Sequence, residues 1–112
     1  QPAVRHAQAF QQLVEQEFRN QRSLAFYAQA LGITPGHLNR TANAVLGASA
    51  MAVVERRIMH EARHYLVFTV MPVKEIAYAL GYADPAYFSR AFRRSVGQPP
   101  ERYRSANTLA GG

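Results

Sequence analysis

Two groups of residues in this 112-residue chain have the types and spacing for chemistry. The first is His60-Glu61-Ala62-Arg63-His64, an H-E-x-x-H pattern. On a helix that spacing sets two imidazoles one turn apart, able to share a zinc ion while the glutamate acts as general base. The second is a pair of polar clusters, Asn39-Arg40 and Ser89-Arg90, at the same place in two similar stretches. An arginine fork donates to guanine O6 and N7 together, asparagine bonds adenine N6 and N7, and serine serves either base. The first pattern would make the chain a small zinc hydrolase; the second would make it a reader of double-stranded DNA.

Zinc chemistry needs more than the motif supplies. His64 is the last histidine, so a third ligand would have to be Glu75, Asp84 or Glu101, which fall at helix and cap positions. At about 100° per residue, His60 and His64 lie opposite Val54, Ile58 and Tyr65 and so face solvent. Arg56, Arg57 and Arg63 add positive charge beside any bound cation, and an ion pair with Arg57 accounts for Glu61. No catalytic residue, metal site or cofactor is assigned. The chain has no cysteine, which excludes a disulfide framework, a cysteine-bound zinc and cysteine catalysis.

The second pattern belongs to a stretch written twice. Residues 24–47 read LAFYAQALGITPGHLNRTANAVLG and residues 73–97 read VKEIAYALGYADPAYFSRAFRRSVG. Ala28, Ala30, Leu31 and Gly32 return as Ala77, Ala79, Leu80 and Gly81; Pro35, Leu38, Arg40 and Gly47 return as Pro85, Phe88, Arg90 and Gly97. The register shifts by one within the turn, where the second copy carries the extra Ala83. Each copy is a short apolar helix, a glycine turn, and a second helix opened by a polar cap and a proline, the grammar of a helix-turn-helix.

The flanking sequence fits an all-α fold of about seven helices. An amphipathic helix spans 3–20, and Ser23 caps a helix that Gly32 ends. Thr34 and Pro35 open a helix running to Leu46, and Ser49 caps a long connecting helix from Ala50 to Phe68. Pro72 to Leu80 is the next helix; Asp84 and Pro85 start another that runs to Val96, and a last short one ends near Arg104. The predicted organisation is a first helix-turn-helix subdomain over 1–48, a connecting helix over 49–69, a second subdomain over 70–106, and a mobile tail over 107–112.

Bulk properties agree with a nucleic-acid partner. The net charge is +6, and of 13 basic residues all but Lys74 are arginine, the side chain suited to phosphate and guanine. Hydrophobic residues make up 48% of the chain, enough for a packed core. No apolar run is long enough for a bilayer, and no signal-peptide pattern opens the chain, so a cytoplasmic location without membrane association is expected. The absence of an initial Met on a segment that already reads as helix suggests an excised domain. A nonspecific basic nucleic-acid module or a protein-docking helical domain is the remaining alternative.

The doubled pattern resembles the C-terminal DNA-binding domain of AraC/XylS-type bacterial transcription regulators. The second copy carries it most fully: Ile76-Ala77, Leu80-Gly81-Tyr82, Asp84-Pro85, Tyr87-Phe88-Ser89-Arg90, Phe92, Gly97, Pro99 or Pro100, and Tyr103-Arg104. The connecting helix adds Arg57-Ile58, Glu61-Ala62 and Leu66. The resemblance implies two recognition helices reading successive major-groove segments. It also implies a separate sensing or dimerisation domain, usually N-terminal, that this chain lacks, and RNA polymerase subunits as partners if the regulator activates. The family's DNA-repair relatives use a cysteine-bound zinc, which this chain cannot form. One departure is Thr41-Ala42-Asn43-Ala44, where the first recognition helix usually ends on basic residues.

Helical spacing separates core from interface. Leu38, Thr41, Ala42 and Val45 face inward in the first copy, and Phe88, Ala91, Phe92 and Val96 in the second. The outward residues Gly36, Asn39, Arg40, Asn43, Ala86, Ser89 and Arg90 are the base-reading candidates, with Pro85 and Ala86 placed to touch thymine methyls. Phosphate candidates are Ser23 and Thr34 at helix N-termini, His37, Arg93 and Arg94. Tyr27, Tyr82, Tyr87 and Phe92 fall at packing positions and are read as core.

Overall fold

The computed structural model describes residues 1–107, and among them the chain is helical throughout, with no strand. The elements are α1 (Pro2–Glu17), α2 (Leu24–Leu31), α3 (Pro35–Thr41) continued by a π-helical turn (Ala42–Leu46), α4 (Ala50–Phe68), α5 (Val73–Ala79), α6 (Pro85–Val96) and α7 (Pro100–Asn107). No helix of the described residues is long and apolar enough to cross a membrane. The expected tail, 107–112, lies outside the described residues except for Asn107, which ends α7; that helix runs further than Arg104, where the sequence predicts its end.

Two compact units divide the chain at Arg57 and Ile58, inside α4. In the first, α1, α2 and α3 pack on one another. Phe10 meets Tyr27 edge-on at 5.5 Å, and Leu38, Ala42 and Val54 are fully buried. The Tyr27 hydroxyl donates to the Gln21 carbonyl at 2.7 Å. Burial, helped by Glu17 and opposed by Arg22, pushes its pKa up from 10.0 to about 12. Arg57 forks onto Glu15 at 2.7 and 2.9 Å and lies 4.2 Å over the Phe18 ring. The carboxylate that takes this fork comes from 42 residues away, beyond the reach of any helical spacing rule.

In the second unit, α6 packs against α5 and α7. Phe88 and Phe92 are fully buried, flanked by Tyr82 at 5.2 Å and Tyr103 at 5.6 Å. Arg104 closes the carbonyl end of α4, its Nε donating to Leu66 O at 3.0 Å and Nη2 to Thr69 O at 3.3 Å. Leu66 O is one of the last carbonyls of α4, which lack a partner within the helix, and a cation there also complements the helix dipole.

The two turns are built alike. Gly32 and Gly81 take left-handed φ of 72° and 87°. This lets Ile33 N–H reach Ala28 O and Tyr82 N–H reach Ala77 O, both at 3.0 Å, the paired closure in which glycine avoids a Cβ clash. Caps then restart the chain: Thr34 Oγ1 accepts from His37 N–H at 3.1 Å and Asp84 Oδ1 from Ala86 N–H at 3.0 Å. Beyond them the pattern of buried and exposed positions over 41–50 repeats, residue for residue, over 91–100.

That shared register corrects one inward assignment. Val45 is 38% exposed, and Leu46, the counterpart of Val96, is the partly covered residue. Helical spacing from Leu38 allows either position, and packing covers Leu46 in preference to Val45. The first recognition helix also differs in winding, turning π-helical after Thr41 where the sequence predicts one α-helix to Leu46. Asn43 Nδ2 donates to Asn39 O at 2.9 Å, filling a carbonyl that the Asn43 backbone N–H would take in an α-helix.

Candidate nucleic-acid interface

Helix α6 presents a polar face because Phe88, Ala91 and Phe92 turn the opposite face into the core. Ala86, Arg90, Arg93 and Arg94 are exposed, with Pro85 and Ser89 half-covered. Arg93 and Arg94 fall in the last turn, where their charge also suits the helix dipole. The expected outward set of the second copy is thus on one face. Asp84 fixes the start of this helix and Gly97, at φ 98°, its end.

The first copy is arranged differently. Gly36, Arg40 and Asn43 are exposed, but Asn39 and His37 are half-buried. Asn39 Oδ1 accepts from Ala50 N–H at 3.0 Å and so helps cap α4, beside Ser49, whose Oγ accepts from Ala52 N–H at 3.2 Å. The amide oxygen of Asn39, one of the two arms an adenine contact would use, is thus engaged at the start of α4. His37 rests edge-on against His6 at 5.4 Å, which turns it toward α1. Arg40 lies back along its own helix: a Cβ on Gly36 would come within 3.3 Å of its Nη1. Ser23 and Thr34 are exposed caps, and their hydroxyls accept from Phe26 and His37 N–H groups. The remaining N–H groups of those first turns are the ones that can meet a phosphate.

Two further residues depart from the sequence reading. Tyr87, read as core, is 55% exposed on the outer face of α6, with the Arg90 guanidinium 5.9 Å from its ring centre. Its place between Asp84 and Arg90 in the helical pattern was the available signal, masked by its aromatic type. Arg104, part of the basic run that starts at Arg90, is bound to α4 carbonyls instead. That contact joins residues 38 apart, and no local pattern announces it.

The H-E-x-x-H residues lie on the outer side of α4. His60 and His64 are exposed and line a shallow depression with Arg63, Val67, Phe68 and Tyr103. Among the described residues, no three His, Asp or Glu side chains come together as a metal-holding group.

Comparisons with known proteins point the same way as this geometry. A family model described as "Helix-turn-helix domain" matches residues 27–106. The bifunctional transcriptional activator/DNA repair enzyme AdaA of Bacillus subtilis is 26% identical over 86% of this chain and 46% of its own length. The Escherichia coli arabinose operon regulatory protein is 29% identical over 73% of this chain and 28% of its length. The chain thus spans less than half the length of these relatives. Among solved structures, the C-terminal domain of AraT, a response regulator from Geobacillus stearothermophilus, matches with a TM-score of 0.85. It is 31% identical, over 97% of this chain and 88% of that one. An AraC-type DNA-binding-domain regulator from Chromobacterium violaceum shares the fold at a TM-score of 0.77 and 23% identity, over 94% and 91%. With the doubled unit, its caps and its two outward polar faces in place, the chain belongs to the AraC-type helix-turn-helix family of transcription regulators.

Proposed function

We propose that this domain is the sequence-reading module of a bacterial transcription regulator, binding double-stranded DNA through the outer faces of α3 and α6. The observation that carries the proposal is the face of α6, where Arg90 is exposed ahead of Arg93 and Arg94 on a helix whose other side is core. An exposed recognition helix can enter a major groove and set arginine against guanine while later arginines meet the backbone. Base reading falls to Pro85, Ala86, Ser89 and Arg90 in the second copy and to Gly36, Arg40 and Asn43 in the first. The phosphate contacts fall to Arg93, Arg94 and the capped helix starts. The rest of the regulator, a sensing or dimerisation domain, and RNA polymerase subunits as partners of an activating form, belong to this reading by the domain's family.

Selection of duplexes from a randomised library by the purified domain tests the function directly. A recovered motif with affinity that falls steeply in salt is the expected result; recovery of no motif refutes sequence-specific reading. The H-E-x-x-H residues take no part: His60→Ala with His64→Ala should fold and bind DNA like the unaltered domain. Stoichiometric zinc in the purified protein, lost in that double variant, would instead support a metal-dependent activity.

A further inference from the structure

The second recognition helix carries a large ring that its core does not use. Tyr87 is 55% exposed, whereas Phe88 beside it is fully buried. The Tyr87 ring is tilted against Tyr82 at 6.0 Å, and the Arg90 guanidinium carbon lies 5.9 Å from its centre. Residues three apart share a helix face, and at this range the negative face of the ring attracts the cation.

The equivalent residues of the first copy make the arrangement informative. His37 stands in the place of Tyr87, and its ring is turned against His6. Arg40, in the place of Arg90, folds back over Gly36, where a Cβ would stand 3.3 Å from its Nη1. The counterpart of Gly36 is Ala86, which has that Cβ. At that distance a methyl group crowds the Arg40 placement by a few tenths of an ångström, and Arg90 lies toward Tyr87.

We propose that Tyr87 is a positioning residue for base recognition: its ring holds the Arg90 guanidinium on the outer face of α6 and so sets the strength of preference at one base pair. The inference rests on the DNA-reading function proposed above and deepens it. Arginine is long and rich in rotamers, so holding it before the complex forms lowers the ordering cost of binding. It also keeps the planar fork in one orientation, which two-point recognition of guanine requires.

The test uses the purified domain and a sequenced library of randomised duplexes. The variants are Tyr87→Leu, Tyr87→Gln, Tyr87→Phe, Arg90→Ala and Tyr87→Leu combined with Arg90→Ala. Both ringless variants should lower preference about two- to fivefold at the base pair that Arg90→Ala relaxes, the worth of an exposed cation–ring contact. Tyr87→Phe should keep that preference, and thermal melting should be unchanged because the ring is exposed. The combined variant should discriminate no less than Arg90→Ala alone. Further loss in the combined variant would mean that Tyr87 touches DNA by itself and would overturn the proposal. So would unchanged preference in both ringless variants while Arg90→Ala relaxes it. A domain without base preference at all would refute the DNA-reading function, and the proposal with it.

Discussion

Asn39 and Ser89 stand at the same place in the two recognition helices, and so do Ala50 and Pro100 eleven residues later. In the first copy the Asn39 carbonyl arm caps the Ala50 N–H. In the second, the equivalent backbone position is proline, which has no N–H to cap. Ser89 is therefore released from the task that Asn39 performs. The same contrast runs along the helix: Arg40 lies over Gly36 and Arg90 over Tyr87, while Asn43 and Ala44 are the counterparts of Arg93 and Arg94 in the repeat. One duplicated scaffold thus holds two different surfaces. The first copy engages Asn39 at the start of α4 and His37 against α1; the second leaves Tyr87 exposed and adds Arg93 and Arg94. Preserved apolar positions let the backbone repeat while the polar positions diverge.

The largest effect should come from the core that separates the copies most. Phe92 is fully buried where the first copy has Ala42. Phe92→Ala should cost about 3–5 kcal/mol of stability by chemical denaturation, through lost burial and the cavity left behind. A cost below about 1 kcal/mol would mean that the second unit does not depend on its ring cluster. Next is DNA recognition: Arg90→Ala should weaken a selected site by about 1–3 kcal/mol and relax one base pair. Arg40→Ala should cost less than Arg90→Ala. Equal losses, measured by titration at fixed salt, would erase the distinction between the two faces.

Asn39→Ala should cost about 1 kcal/mol of stability, as the loss of a helix cap does, with little change in base preference. Ser89→Ala should do the opposite, leaving melting unchanged and altering preference. A reversal would return Asn39 to the reading face. The smallest effect is in salt dependence, where Arg93→Ala or Arg94→Ala should flatten the log–log slope by about one where the residue meets a phosphate. Asn43→Arg would sharpen the comparison by steepening the slope by about the same amount. Unaltered slopes in both arginine variants would remove these side chains from the backbone contacts.

Much of this organisation was legible in the residues. Ser23, Thr34 and Asp84 announce helix starts and Gly32 and Gly97 helix ends, because caps and left-handed turns are local chemistry. The bounds of α4 follow from Ser49 and an apolar stripe without Gly or Pro inside it. Tyr87 and Val45 depart from expectation for a shared reason: residue type favours burial, while helical geometry leaves the position open. The copies themselves held the remedy for Val45, since its counterpart is the polar Ser95.

The sequence by itself determined the all-α class, the doubled helix-turn-helix, its caps and turns, and the outward Arg40 and Arg90. Each of these depends on neighbours within about one or two helical turns, or on comparing one copy with the other. Tertiary structure alone decided which polar groups the fold consumes. Arg57 takes Glu15 from 42 residues away, Arg104 takes the carbonyl end of α4, and Asn39 takes the start of the same helix. An unpaired helix end or a half-covered charge will accept any suitable partner that packing brings near. The identity of that partner is a property of three-dimensional proximity, which spacing along the chain does not encode.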